Sequence, residues 1–98
     1  MRRAAKVDAN HSEIVKSIRA AGISVYDTSA VGRGFPDIIC GYAGRTFAVE
    51  IKDGAKFPSQ RRLTGPQETF RASWKGDYTV LETVAQAKLW CIAVTKEI

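Results

Sequence analysis

Asp37, Glu50 and Lys52 are the residues whose types and spacing could do chemistry together. Glu50 and Lys52 end a strand-like run, Arg45–Lys52, of sequence Arg-Thr-Phe-Ala-Val-Glu-Ile-Lys. Side chains alternate along a strand, so Phe47, Val49 and Ile51 point one way and Thr46, Ala48, Glu50 and Lys52 the other. A second strand-like run, Asp37–Tyr42, precedes it, and the Ala43-Gly44 connection suggests a hairpin. With a two-residue turn there, Tyr42 faces Arg45, Cys40 faces Phe47 and Asp37 faces Glu50; a four-residue loop keeps the same partners. Two carboxylates set opposite each other repel and cost stability. A divalent cation offsets that cost, and carboxylate oxygens suit Mg²⁺ or Mn²⁺. A lysine beside them can hold a phosphate, position an attacking water or stabilise negative charge in a transition state. Acid, acid and lysine around a metal, on a basic chain, point to metal-dependent phosphodiester cleavage.

The elements that must position these residues follow from periodicity and punctuation. Ile14, Val15, Ile18 and Ala21 form one apolar stripe, predicting a helix from Asn10 to about Ala21, with Asn10 or Asp8 able to cap it and Gly22 closing it. Ile23–Asp27 reads as a short strand, and Thr28–Pro36 as a glycine-containing loop leading into Asp37. After the hairpin comes a polar, basic loop, Asp53–Arg62. A second helix is predicted from near Pro66 to about Lys75, with Thr64 as N-cap and Gly76 as its end. Tyr78–Leu81 is a fourth strand, and Thr83 caps a third helix carrying Val84, Ala87 and Cys91. The order α-β-β-β-α-β-α predicts an α/β fold, a mixed sheet flanked by helices.

The whole chain bounds that reading. Its 98 residues fit a single domain, 1–98, with residues 1–7 expected to form a flexible basic arm. No apolar run approaches the roughly 20 residues of a membrane helix. The basic start leads into no apolar signal core, which points to the cytosol. Two cysteines, Cys40 and Cys91, are too few for a disulfide scaffold and are read as buried thiols; the single His11 is read as a surface residue at the helix start. Fifteen Lys and Arg against ten Asp and Glu give +5, a balance that favours a polyanionic partner such as nucleic acid.

The segment Gly34-Phe35-Pro36-Asp37, followed after twelve residues by Glu50-Ile51-Lys52, resembles the PD-(D/E)xK nuclease signature. More narrowly, the chain is similar to the small VRR-NUC domains (virus-type replication-repair nucleases), often encoded by phages. The resemblance runs from about Asn10 to Ala87 and includes Glu13, the loop Val31–Asp37, the strand Ala48–Lys52 and the segment Leu63-Thr64-Gly65-Pro66-Gln67. It implies a PD-(D/E)xK core in which Asp37, Glu50 and the Ile51 carbonyl ligate Mg²⁺ or Mn²⁺. Lys52 would orient the water or stabilise the transition state. Glu13 would reach the metal from the first helix, and Gln67 would support Lys52 or contact the scissile strand. Arg33, Lys56, Arg61, Arg62 and Lys16 would meet DNA. Small stand-alone relatives resemble Holliday-junction resolvases, so the resemblance implies a homodimer acting on branched or four-way DNA, in a bacterial or phage-infected cytosol. One departure is that many relatives carry glycine straight after the lysine, where Asp53 intervenes before Gly54 here.

Other roles fit the same residues. Glu13 lies three residues after Asn10, and Gln67 three after Thr64, both capping-box spacings. Glu50 and Lys52 alone could be a solvated strand face. A flap, nick or fork nuclease, and a non-cutting DNA-binding subunit, are the competing functions. The second predicts salt-sensitive binding with no cleavage in any divalent metal.

Overall fold

The computed structural model describes residues 8–96; the expected basic arm lies outside the described residues. Helix α1 (His11–Ala20) buries Ile14, Val15 and Ile18, the expected stripe. Its fully buried isoleucines, Ile14 and Ile18, each contribute about 1.5–3 kcal/mol of apolar burial. The Gly22 N–H donates to Arg19 O and ends the helix at the expected place. The start differs from expectation. Asn10 sits at the N-cap position but makes no side-chain cap, so Glu13 completes no capping box with it. Its side-chain amide donates instead to Lys52 O (3.1 Å) and Glu82 O (2.9 Å).

Strands β1 (Ser24–Asp27), β2 (Ile38–Tyr42), β3 (Arg45–Ile51) and β4 (Asp77–Leu81) form one sheet in the order β1-β2-β3-β4. The first three are antiparallel neighbours, and β4 pairs parallel to β3. Tyr42 pairs with Arg45 and Cys40 with Phe47, the register predicted from the two-residue turn. Ala43 and Gly44 both take positive φ, 51° and 78°, as a tight turn matching the strand twist requires. One step beyond the pair Ile38–Val49, this register brings Asp37 level with Glu50.

Both faces of β3 are covered, so its last five residues are all buried. Phe47, Val49 and Ile51 join the main core with α1 and α3 (Val84–Lys96). The opposite face carries Ala48, Glu50 and Lys52 and faces a smaller aromatic cluster supplied by α2 (Gly65–Ser73). Phe70 is central there: it meets Phe35 edge-on (centroids 5.4 Å apart), stacks on Trp74 (5.3 Å) and lies 6.2 Å from Tyr78. Helix α2 stops at Ser73, short of the expected Lys75, because Trp74 turns extended and its indole N–H donates to Asp77 O. A single 3₁₀ turn (Pro58–Gln60) breaks the loop after β3. Among the described residues, no helix is long and apolar enough to cross a membrane.

Candidate functional site

The site lies where β2 begins and β3 ends. The loop Thr28–Pro36 delivers Asp37 to it: Thr28 N–H donates to Asp37 O and Thr28 Oγ1 to Pro36 O. The same loop presses on α2. A Cβ on Gly34 would sit 2.4 Å from both carbonyl atoms of Pro66, so only glycine allows that approach. Asp37 and Gln67, thirty positions apart in the chain, thus reach the same place.

Asp37 Oδ2 accepts the Ile51 N–H at 2.9 Å, which aims its carboxylate at the end of β3. Glu50 is 2% exposed, and Lys52 is nearly as buried. This is no solvated strand face. Gln67 bridges the two: its Nε2 donates to Glu50 Oε2 (3.0 Å), and its Oε1 accepts from Lys52 Nζ (2.8 Å). Lys52 Nζ is itself 4.0 Å from Glu50 Oε2. The cap and the bridge made by Gln67 coexist. Its N–H points to Thr64 Oγ1 while Oε1 also accepts the Thr64 N–H, completing the capping box.

Glu50 Oε1 is buried without a hydrogen-bond donor. Burial, then the neighbouring Asp37 carboxyl, pushes the Glu50 pKa from 4.5 up to about 9; Lys52 opposes that rise. A proton on Glu50 would let the two carboxyls hydrogen-bond, and a cation would answer the same need. Among the described residues no three His, Cys, Asp or Glu side chains gather as ligands, so no all-side-chain cage exists. Two carboxylates with an adjacent backbone carbonyl nevertheless fit a hard divalent ion that keeps waters and takes phosphate oxygens.

The other expected residues are placed differently. Glu13 is exposed and lines a groove with Lys16, Ser17 and Lys88; the structure does not bring it to the carboxylate pair. The helical turn that buries Ile14 and Val15 directs Glu13 towards α3. Asp8 is the acid from that end of the chain whose charge acts on Glu50. Arg33 and Arg62 are exposed, and Lys56 is exposed but pairs with Asp8 at 3.6 Å. Arg61 is tied to Glu82 (3.0 Å) and to Lys56 O (2.8 Å), so it braces its loop. Lys16 lies exposed on α1. His11, expected at the surface, is buried because its Nε2 meets Asp27 Oδ2 at 3.1 Å. Cys40 and Cys91 are buried thiols, as read. Sequence reasoning missed Asp8, Asn10 as a β3–β4 tie, and Glu82, whose contacts reach across 42, 72 and 21 positions and leave no local signal.

No family model matches the sequence, and no curated protein does. Among solved structures the chain is similar to one described as a VRR_NUC domain. That likeness has a TM-score of 0.56 and 26% identity, covering 81% of this chain and 86% of the other. This order of elements, and that likeness along most of both chains, give the chain the α/β fold of a VRR-NUC domain, PD-(D/E)xK-like, and support a nuclease-type domain.

Proposed function

We infer that the chain is a Mg²⁺- or Mn²⁺-dependent endonuclease that cuts branched DNA in the manner of a Holliday-junction resolvase, as a homodimer. The observation that carries the reading is the buried Glu50 set level with the half-buried Asp37, with one Glu50 oxygen lacking a donor and Lys52 alongside. Binding alone has no use for two facing acids on a protein of net charge +5.

Asp37, Glu50 and the Ile51 carbonyl would hold the metal. When bound, a divalent cation polarises the scissile phosphate and acidifies a water. The protein's own residues do the rest. The Ile51 N–H fixes one Asp37 oxygen, and Gln67 fixes one Glu50 oxygen, so the carboxylates are pre-aimed. Gln67 also holds the Lys52 ammonium beside them, where it stabilises negative charge growing on the phosphate. Exposed Arg33, Lys56 and Arg62 on the adjoining loops grip the DNA backbone without reading sequence.

The test incubates four-way junction, flap, nicked and linear DNA with the protein in Mg²⁺, Mn²⁺ or EDTA, beside Asp37→Ala. Metal-dependent cutting by the wild type, lost in Asp37→Ala while DNA binding persists, is expected. Equal cutting by Asp37→Ala would mean that the site lies elsewhere. Binding without cutting in any metal would replace the nuclease with an accessory DNA-binding role.

A further inference from the structure

The loop that follows Lys52 is fixed at several points, although it lies outside the carboxylate cluster. Gly54 N–H donates to Glu82 O (2.9 Å), Ala55 N–H to Asp53 Oδ1 (2.9 Å) and Lys56 N–H to Asp53 O (3.1 Å). Farther along, Gln60 N–H donates to Phe57 O (2.8 Å), and Arg61 is held by Glu82 and Lys56 O. This braced backbone holds Phe57 out into water, 76% exposed, between Pro58 and an exposed Lys56 whose ammonium also meets Asp8, and five positions before exposed Arg62. Single exposed apolar side chains are common. This one differs in its setting, a fixed and basic loop that begins one residue after Lys52.

Cations beside a presented aromatic ring suit a polyanion with flat faces. Lysine and arginine follow the phosphates while the ring stacks on a base. An intact duplex hides its base faces, and opening a step costs a few kcal/mol. A branch point, nick or frayed end already offers an open face. We propose that Phe57 stacks on an unstacked base at a DNA discontinuity, and that this contact gives the domain its preference for branched over continuous duplex. The proposal rests on the nuclease reading and assigns that reading's selectivity to one side chain.

The experiment measures binding in EDTA to a four-way junction with 2-aminopurine at the branch point and to a matching linear duplex. It uses the full-length wild type, Phe57→Ala and Phe57→Trp. The wild type should lower the 2-aminopurine signal, because the ring stacks on a base the branch has left open. Phe57→Ala should lose that quenching and bind the junction about tenfold more weakly, the scale of one lost base–aromatic stack. Phe57→Trp should restore the affinity. Equal junction selectivity in wild type and Phe57→Ala overturns the proposal and leaves the nuclease standing. A wild type that binds no DNA overturns both. A wild-type dimer that Phe57→Ala turns into a monomer makes Phe57 a subunit contact, and the proposal fails.

Discussion

Gln67 shows how one side chain can cap a helix and bridge a buried acid and lysine together. On spacing it is either a cap or a site residue, and the structure gives it both partners through a single amide. The two roles separate by substitution. Gln67→Ala should cost about 1 kcal/mol in urea denaturation through the lost cap and should also slow cleavage. Gln67→Glu keeps an acceptor for Thr64 but removes the donor to Glu50 and adds a charge beside it. It should keep the cap, lose stability through repulsion with the buried Glu50, and lose roughly 10- to 100-fold in activity. Glu50 makes a second prediction, about pH. In the unfolded chain it titrates near 4.5, and in the folded metal-free protein near about 9. Between those values the folded state binds more protons, so stability falls as pH rises through that window. Melts in EDTA from about pH 5 to about pH 9 should show the decline, and Glu50→Gln should flatten it; parallel slopes would remove Glu50 as its source.

Among the elements, the Thr28–Pro36 loop and α2 are fitted to each other at Gly34. Gly34→Ala combines positive φ with a backbone collision at Pro66 and should cost about 2–4 kcal/mol. Gly44→Ala also has positive φ but meets nothing within 4 Å, and should cost only about 1 kcal/mol by the same denaturation assay. Equal losses would mean that the loop is not seated on α2. The difference between the two glycines also marks how far the sequence could be read. The hairpin register was legible because its cause is local: alternation on two strands and a two-residue turn. So was the capping box at Thr64 and Gln67. The burial of His11 by Asp27, the β3–β4 tie by Asn10 and the placement of Glu13 towards α3 depend on how distant elements pack. Nothing in their own neighbourhoods encodes that. The end of α2 was misjudged because the stacking of Trp74 on Phe70 favours an extended residue before any glycine is reached.

The whole molecule carries one Asp37–Glu50 pair per chain, and paired incision of a junction needs two. Light scattering on the protein with a four-way junction should find two chains per junction; a monomer under every condition would end the resolvase version of the proposal. The sheet order has a consequence for synthesis as well. β3 lies between β2 and β4, and Glu50 pairs with Val80, thirty residues later in the chain. A ribosome therefore makes Asp37, Glu50, Lys52 and Gln67 well before the strand that covers the far edge of β3. Until β4 emerges, that edge stays open and the core residue Leu81 is missing. A chain that ends before β4 would hold all four of those residues and still lack a strand of the sheet and part of the core, so it should fail to fold.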